Sequence, residues 1–479
     1  MSDSLQTLDL EHLKTHPEDF PELTAQQYFS IDRERLEDIQ LAAAQNRFAQ
    51  LVQKIPMLRR LAEAQGISEI KQLDDLAPLL VPHSAYKSYP VSIVEKARFT
   101  ALTNWLQNFT ACDLSGFDAS DCESIDDWII AMDQATDIRL SHSTGTSGKL
   151  SFLPRTEEEW RRVQVVKMLR VFEGFGDEAG IDAITGFESL PYIYPGYRTG
   201  AMGHPRSAAI FEKYWHKGNG TPIITLHPGR LSADAVSLGG RIADAEAKGK
   251  LAELKITPEL MARREQFLED HKNANAAFAE FIEKAIAFKG QRIYMAALHP
   301  QFWDFTLECE QRGLHGLFAA DSVFLCSGGM KGRTDVPDDW KARVEAVLGG
   351  RLREVYGMIE GMGTALLCEH NHFHFHPWIV LYLVDPKTGE LLPRRGVQTG
   401  RLGIFDITPW TYWGGFLSGD KVTIDWADSG ICSCGRQGPF LHAQISRLSE
   451  NEGGDDKVTC AGAPEAHDRA MEYILKNLA

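Results

Sequence analysis

Hydrophobic positions recur at a helical spacing in the N-terminal part of the chain. Between residues 33 and 65, apolar side chains such as Leu36 and Ile39 return every three or four positions, which predicts a helix over this range. Thr257-Pro258 predicts the start of a second long helix, with threonine as the N-cap and proline as the first helical residue. The side chains of Phe278 and Phe281 would lie on its apolar face.

Short apolar runs rich in β-branched and aromatic residues predict strands between these helices. They are Val323–Leu325, Ile379–Val384 and Val422–Ile424, and the uninterrupted second run predicts burial on both faces. The residues Asp385 to Gly389 form a turn pattern directly after that run. Because strands and helices are mixed along the chain, we expect an α/β or an α+β class.

Composition and charge exclude several kinds of protein. Of the 479 residues, 43% are hydrophobic and 24% are charged, which is ordinary globular usage rather than that of a disordered chain. The formal net charge is −16 without a basic cluster, so we expect neither nucleic acid nor an anionic membrane as a partner. The sequence contains no signal-peptide pattern or long apolar run, and its eight cysteines do not suggest a disulfide scaffold. We therefore expect a cytoplasmic location.

The segment from Ser141 to Lys149 has the composition of a phosphate-binding loop. Its glycines let backbone N–H groups turn toward an anion, its hydroxyls add donors, and Lys149 adds a positive charge. The loop is two residues too short for a Walker motif. Strand-like runs flank it at 137–140 and 150–153, which favours phosphate binding over a solvated linker. The predicted phosphate-binding residues are Ser143, Thr144, Gly145, Thr146, Ser147, Gly148 and Lys149.

Two further short motifs carry a carboxylate. Glu360, in the segment 355–361, could hold a divalent cation that bridges phosphate oxygens. Asp420, in a Gly-Asp turn before a strand, could accept hydrogen bonds from both hydroxyls of a ribose. Each motif alone is also compatible with an ordinary surface turn.

A fourth group consists of cysteines and histidines in the C-terminal part. Cys368 precedes four histidines at positions 370, 372, 374 and 376, and Cys432 and Cys434 follow later. In an extended strand the even-numbered residues share one face, so thiolates and an imidazole could complete a tetrahedral zinc site. The Cys-x-Cys spacing is tighter than the usual one, and the alternative is buried reduced cysteines with surface histidines.

In this order and spacing, the motifs resemble those of the adenylate-forming (AMP-forming acyl and aryl acid ligase) superfamily. The similar branch contains phenylacetate–CoA ligases and bacterial long-chain fatty-acid–protein ligases (acyl-protein synthetases). Leu325–Gly329, Thr399–Asp406 and Cys432–Pro439 add to the likeness, which covers roughly residues 80 to 460. The resemblance implies an α/β fold, the multi-layered large N-terminal domain of the superfamily. We expect it over residues 1–450, with 1–130 mainly helical, and a hinge-like segment and short tail over 451–479.

The resemblance also implies residue roles. Lys149 and its loop would bind the triphosphate, Tyr356 would pack on adenine, Glu360 would bind Mg²⁺, and Asp420 would bind ribose. Lys149 and Glu360 would be catalytic. The remaining residues of the implied nucleotide site are Ser327, Gly328, Gly329, Gly357 and Met358. The implied ligands of a structural Zn²⁺ are Cys368, His374, Cys432 and Cys434.

Two departures from the family pattern accompany the likeness. Ile359 stands where the family usually has a threonine before the magnesium-binding glutamate, which removes a hydroxyl expected near the α-phosphate. The mobile C-terminal domain of the full-length ligases is also missing, since only residues 457–479 follow the hinge-like segment. Acyl-protein synthetases are similarly short.

The function implied is ATP-dependent activation of a small-molecule carboxylic acid as an acyl-adenylate, with release of pyrophosphate. The acyl group would then pass to a thiol of CoA, a carrier protein or a partner protein, to a cysteine of the chain itself, or to an amine. The alternative is a non-catalytic scaffold subunit that binds a nucleotide.

Three further features of the sequence each have two interpretations. The aromatic segment 191–197, with Met202 and His204, could form the wall of an acyl pocket or ordinary core. His142 could contact a phosphate or cap a strand. Cys460 could carry the acyl group or pack the tail.

Overall fold

A single large β-sheet runs through the molecule. The computed structural model describes residues 10–143, 149–162, 187–251, 261, 264–330, 333, 335–360, 364–428, 431–448 and 470. Within this part the sheet has 13 strands, with the order β11-β12-β13-β14-β10-β9-β8-β7-β6-β4-β5, and β1 and β15 both pair with β13. The short strands β2 and β3 form a separate antiparallel pair.

The strand bounds are β1 Val81–Pro82, β2 Ser141–His142, β3 Phe152–Leu153, β4 Tyr192–Thr199, β5 Ile223–Arg230, β6 Tyr294–Leu298, β7 Val323–Ser327, β8 Leu352–Gly357, β9 Thr364–Leu367, β10 His372–Phe375, β11 Ile379–Val384, β12 Val397–Asp406, β13 Gly415–Asp425, β14 Phe440–His442 and β15 Ser446–Arg447. All three predicted strands lie within this set. Every residue of β11 is buried, as its uninterrupted apolar run predicted.

The α-helices of the described residues are α1 Ala25–Phe29, α2 Arg33–Leu51, α3 Pro56–Gln65, α4 Val91–Glu95, α5 Phe99–Leu106, α6 Ile125–Ala135, α7 Glu157–Arg161, α8 Gly203–Ile210, α9 Ala233–Ala247, α10 Arg264–Ile286, α11 His299–Gln311 and α12 Trp340–Leu348. The single helix predicted over 33–65 is wrong, because the chain forms two. Pro56 lacks an N–H and forces Ile55 into an extended conformation, so α2 ends and α3 begins there. The predicted helix start at Thr257-Pro258 lies outside the described residues.

The sheet changes character at β8. Strands β5, β4, β6, β7 and β8 are parallel to their neighbours in this order. On the other side of β8, each neighbouring pair in the order β8-β9-β10-β14-β13-β12-β11 is antiparallel. Alternate residues of the parallel strands enter two separate hydrophobic clusters, with Met295 and Phe324 in one and Tyr294 and Leu325 in the other. Apolar residues therefore cover both faces of this half, as parallel sheets require.

The N-terminal helices cover the antiparallel half. Ile39 and Phe48 of α2 belong to the same buried cluster as Leu381 and Phe405 of β11 and β12. The Gln40 side-chain amide donates to the carbonyl of Pro377 at 2.7 Å, which fixes α2 against the start of β11. The predicted turn follows β11, where the Gly389 N–H donates to the carbonyl of Asp385 at 2.9 Å.

Two buried aspartates join the N-termini of α6 and α9. Asp234 accepts hydrogen bonds from the N–H groups of Ile125 and Asp126, both at 2.9 Å. Asp126 in turn accepts from the Ala233 N–H at 3.1 Å and from the Ser232 hydroxyl at 2.6 Å. Each carboxyl group thus satisfies the free N–H groups of the other helix.

The structure confirms the α/β class, with a large sheet flanked by helices. None of the helices in the described ranges has the length and apolar character needed to cross a membrane.

Candidate active site

The carboxyl ends of the parallel strands bring several of the predicted nucleotide-site residues to one edge of the sheet. Strand β7 ends at Ser327, and its parallel neighbour β8 ends at Gly357, directly after Tyr356. Gly328 and Gly329 follow β7 with φ values of 85° and 61°, a left-handed conformation that favours glycine. In open α/β sheets this edge is where ligands bind, particularly where the strand order changes.

Tyr356 and Asp420 are joined although 64 residues separate them. The Tyr356 hydroxyl donates to Oδ2 of Asp420 at 2.6 Å, and the ring lies 5.9 Å from Phe373 and 6.2 Å from Phe375. Burial and the charge of Asp420 raise the pKa of Tyr356 well above its usual value. The phenol therefore stays protonated and acts as a donor.

Asp420 has a second partner on the neighbouring strand. Oδ1 lies 3.1 Å from Nε of Arg447, which pairs with Asp420 in the register of β13 and β15. A Cβ atom on Gly419 would lie 2.7 Å from the guanidinium of Arg447, so glycine leaves the space for that contact. Because a carboxylate has about four lone-pair sites, Asp420 can still accept two more hydrogen bonds.

Glu360 follows β8 and belongs to the same group of charges. Burial raises the pKa of Glu360, and a hydrogen bond from its own backbone together with the charges of Arg447 and Arg155 opposes this rise. The charge of Glu360 also contributes to the raised pKa of Tyr356. The structure thus brings Tyr356, Glu360 and Asp420 together, and the backbone of Gly357 and Met358 joins the first two.

Arg155 is a residue of this site that the sequence analysis missed. Its side chain is fully buried and donates to the hydroxyl oxygens of Ser141 and Tyr412, each at 3.2 Å. It also donates to the carbonyl oxygen of Ile359, next to Glu360. An arginine after a short strand is not distinctive in sequence, and only the long-range contact with residue 359 reveals it.

The residues that flank the predicted phosphate loop pair as the antiparallel strands β2 and β3, which form a hairpin. The Ser143 N–H donates to the carbonyl of Ser151 at 3.2 Å. Ser143 and Lys149 stand at the two ends of the loop, while Thr144, Gly145, Thr146, Ser147 and Gly148 lie outside the described residues. Since Arg155 contacts both this hairpin and Ile359, the hairpin base lies beside the segment that carries Glu360.

His142, the second residue of β2, is buried. Its Nδ1 lies 3.2 Å from the carbonyl oxygen of Ser143, and its ring lies 6.5 Å from Phe152. Burial lowers the pKa of His142 to about 4, so the ring is neutral near pH 7. It therefore adds no positive charge to the loop.

The aromatic segment 191–197 consists of Pro191 and the first six residues of β4. The rings of Tyr194 and His204 stack at 4.6 Å, and those of Tyr197 and His227 stack at 4.4 Å. Burial lowers the pKa of His204 to about 4, which leaves that ring neutral. Because β4 is parallel to β6, the segment ends at the same sheet edge as Ser327, a position suitable for an acyl pocket.

The four residues of the implied zinc site converge. One potential ligand atom from each of Cys368, His374, Cys432 and Cys434 lies within 4.8 Å of the others. Strand β10 carries His374, and a turn closed by the Gly435 N–H and the Cys432 carbonyl at 2.8 Å presents the last two cysteines. A hydrogen bond shared with Cys368 lowers the pKa of the Cys434 thiol and raises that of Cys368. Thiolates and imidazole are the donors that Zn²⁺ prefers, so the set fits this ion.

The other three histidines of this region have different surroundings. His370 is exposed and lies 3.5 Å from the carboxylate of Glu369. His372 stacks on Phe440 at 4.3 Å, with its Nδ1 3.3 Å from Sγ of Cys432. His376 is buried and stacks on Trp378 at 4.3 Å.

No protein-family model matches the chain, and no curated protein matches it in sequence. Among solved structures it is similar to an open conformation of 2-hydroxyisobutyryl-CoA ligase in complex with 2-HIB-AMP and CoA, at 13% identity and a TM-score of 0.47, over 87% of this chain and 76% of that one. For the thioesterification state of that ligase the identity is 13% and the TM-score 0.48, over 88% and 70% of the two chains. ATP-bound MatB from Rhodopseudomonas palustris is 13% identical with a TM-score of 0.31, over 65% and 50%. Similarities at these TM-scores do not assign the chain to a family.

Proposed function

We propose that this chain uses ATP to activate a carboxylic acid as an acyl-adenylate and then transfers the acyl group to a thiol. The observation that carries the proposal is the hydrogen bond between Tyr356 and Asp420, with Glu360 in the same group of charges. An aromatic ring, a ribose-binding carboxylate and a cation-binding carboxylate at one sheet edge match the parts of a nucleoside triphosphate.

The free acceptor sites of Asp420 suit two ribose hydroxyls. Tyr356 and Arg447 each hold one of its oxygens, which fixes the plane of the carboxylate. Two hydroxyl groups can then donate to the remaining lone pairs without displacing either protein partner. In this arrangement the Tyr356 ring lies beside the nucleoside, and the segment from Ser327 to Gly329 lines the base.

The chemical step needs positive charge more than proton transfer. A carboxylate oxygen of the acid attacks the α-phosphorus of ATP, the bond to the β,γ-pyrophosphate breaks, and pyrophosphate leaves with both bonding electrons. Lys149 and the buried guanidinium of Arg155 would stabilise the phosphate oxygens. A bound Mg²⁺, held by the carboxylate of Glu360, would neutralise further phosphate charge. In the second step a thiolate attacks the acyl carbon and AMP leaves.

Carboxylate-dependent exchange of labelled pyrophosphate into ATP tests the activation step. With a panel of carboxylic acids, we expect exchange in the wild type and a loss of orders of magnitude in Lys149→Ala and Asp420→Ala. Glu360→Gln should reduce the rate less, because the amide keeps one oxygen ligand. Mass spectrometry should detect the acyl-AMP.

Asp425→Asn is the matched control, since this aspartate lies on the same strand but accepts from the Ala427 N–H. Wild-type exchange in the Asp420 variant would refute the ribose assignment. ATP binding without exchange for any acid would favour the non-catalytic scaffold.

We also propose that Cys368, His374, Cys432 and Cys434 hold a structural Zn²⁺. With four protein donors the coordination sphere is closed, so the ion would stabilise the fold rather than react. Freshly purified protein should contain about one zinc per chain by elemental analysis. Cys432→Ser should lose the zinc and thermal stability, whereas Cys112→Ser, at a half-buried cysteine elsewhere, should keep both. Protein without zinc, prepared without chelator, would contradict the assignment.

The acceptor thiol is proposed as that of CoA, a carrier or partner protein, or Cys460, which lies outside the described residues. Incubation with ATP, Mg²⁺ and a substrate acid, but no CoA, distinguishes these acceptors. If Cys460 carries the acyl group, peptide mass spectrometry should find a hydroxylamine-labile adduct that Cys460→Ser abolishes. Efficient turnover of that variant with free CoA would instead identify CoA as the acceptor.

A further inference from the structure

His299 lies beside the ends of two neighbouring parallel strands. It directly follows β6, whose last residue, Leu298, pairs with Ser327 at the end of β7. It is also the first residue of α11, and Pro300 comes next. Proline has no N–H and needs none in the first turn of a helix, so the chain leaves the sheet at this point. The His299 side chain therefore stands at the carboxyl end of β7, where the candidate nucleotide site lies.

Both ring nitrogens of His299 face groups that only accept hydrogen bonds. Nδ1 lies 2.8 Å from the carbonyl oxygen of Ser327, and Nε2 lies 3.1 Å from the side chain of Glu354. Although burial opposes it, the hydrogen bonds with His299 and Lys341 lower the pKa of Glu354, so this group is a carboxylate near pH 7. A carbonyl and a carboxylate offer no proton, so both ring nitrogens donate and the ring is positively charged in this arrangement. Such charge-assisted hydrogen bonds are stronger than neutral ones.

Glu354 holds the His299 ring in one orientation. One of its carboxylate oxygens accepts from His299, and the other accepts from the ammonium group of Lys341, whose side chain is half exposed. The ring of Trp340 lies 5.2 Å from that of His299. The buried histidine is thus fixed by contacts from β7, β8 and α12.

The carbonyl that His299 holds belongs to the segment from Ser327 to Gly329. Glycine restricts the backbone little, so contacts from neighbouring elements fix the direction of Gly328 and Gly329. Peptide groups are planar and this one is trans, so the Gly328 N–H points away from the carbonyl oxygen of Ser327. One hydrogen bond from His299 therefore orients the whole peptide group at the end of β7.

We propose that His299 is a positioning residue for nucleotide binding. By holding the Ser327 carbonyl, it keeps the segment up to Gly329 in the conformation that receives the base. Glu354 acts through His299, and neither side chain touches the substrate. The inference rests on the proposed function, because that function places the base of ATP beside this segment. It adds two residues that none of the sequence motifs includes.

Calorimetric titration with Mg²⁺-ATP in the absence of acid, together with pyrophosphate exchange, tests the proposal. In His299→Ala we expect the Kd and the KM for ATP to rise about three- to tenfold, the effect of losing one hydrogen bond. The kcat and the KM for the acid should stay close to those of the wild type, because Ser327 is assigned to the base alone.

Two amide variants separate the contacts of the ring. The amide nitrogen of asparagine is as many bonds from Cα as Nδ1 of histidine, and that of glutamine is as many as Nε2. His299→Asn can therefore still donate to Ser327 and should restore ATP affinity. His299→Gln can reach Glu354 instead and should bind ATP as weakly as His299→Ala. If His299→Ala fails to fold, the comparison of these two variants still decides the role.

His216 provides the matched control. It is also buried, and its Nε2 lies 3.2 Å from the carbonyl oxygen of Leu190, which precedes β4 at the opposite edge of the sheet. His216→Ala should lose thermal stability but keep wild-type ATP affinity. Glu354→Ala should weaken ATP binding, and the double variant with His299→Ala should bind no more weakly than His299→Ala alone, because Glu354 acts through His299.

Unchanged ATP affinity in His299→Ala, equal affinities of the Asn and Gln variants, or losses that add in the double variant would overturn the proposal. Equal weakening in His216→Ala would also overturn it, since the effect would then be a general loss of structure. If the wild type binds ATP but exchanges no pyrophosphate with any acid, the ligase function is refuted, while weaker ATP binding in His299→Ala with rescue in His299→Asn still supports the positioning role. A wild type that binds no ATP would overturn both.

Discussion

At the scale of single residues, the hydroxyl of Tyr356 is the atom that orders the candidate active site. It donates to Asp420, whose other oxygen faces Arg447. Without this donor, the carboxylate keeps one partner and can rotate. The ring and the acid are therefore expected to act as one unit in nucleotide binding.

Tyr356→Phe tests this coupling. We expect the free energy of unfolding to fall by about 1.5–3 kcal/mol, the range for a hydrogen bond to a charged group. The KM for ATP in the exchange assay should rise severalfold, because Asp420 is no longer held in place. Tyr382→Phe is the control, since its buried hydroxyl donates to the Leu73 carbonyl at 2.7 Å rather than to a residue of the site. It should lose stability without a change in KM, and an unchanged KM in the Tyr356 variant would contradict the coupling.

Residue types along the chain indicated a cysteine and histidine cluster in the C-terminal part, and the family resemblance implied the set Cys368, His374, Cys432 and Cys434. One potential ligand atom from each of these four lies within 4.8 Å of the others. Arg155 could not be found in this way, because the contact that places it beside Glu360 is with a main-chain carbonyl, which any residue at position 359 would supply. The roles of the nucleotide-site residues stay predictions until the exchange assay is done.

At the scale of elements, the paired N-termini of α6 and α9 make stability depend on pH. Burial and the neighbouring charge of Asp126 raise the pKa of Asp234 to about 7. In the unfolded chain this carboxyl group has an ordinary pKa near 4. The folded state therefore binds a proton that the unfolded state has already released, and the stabilisation is lost as pH rises from about 4 to about 7.

Asp234→Asn removes this titration while its amide can still donate toward Asp126. We expect the free energy of unfolding of the wild type to fall between pH 5 and pH 8, relative to the variant, by on the order of 2 kcal/mol. Asp127→Asn, at an exposed position in the same helical turn, should keep the wild-type pH dependence. Denaturant unfolding at several pH values measures the difference. Parallel pH curves for the wild type and Asp234→Asn would refute the prediction.

The spacing of apolar residues predicted which helices and strands form better than it predicted the residues at which they end. The apolar run 379–384 became a buried strand, because a continuous run can only lie where both faces are covered. The helix over 33–65 was predicted as one element because apolar residues continue past Ile55 at a helical spacing. Pro56 overrides that pattern, since a proline restricts the residue before it to an extended conformation.

At the scale of the whole molecule, the sequence patterns did not predict the order of the strands in the sheet. The apolar runs indicate that strands exist but not that β14 inserts between β13 and β10. Pairings of this kind depend on long-range packing, which no local window of sequence contains. The candidate site depends on that order, because it brings Tyr356 of β8 to Asp420 of β13.

The packing of α2 against β11 has a consequence for biosynthesis. Gln40 contacts the carbonyl of Pro377, which leaves the ribosome 337 residues later. At translation rates of about 5–20 residues per second, roughly 17 to 70 s pass between the synthesis of α2 and that of the strand that covers its apolar face. During that interval the nascent chain exposes Ile39 and Phe48, which are buried in the finished molecule. A chaperone that binds apolar helical segments would therefore bind the residues of α2 while the strands that carry the candidate nucleotide site are not yet synthesised.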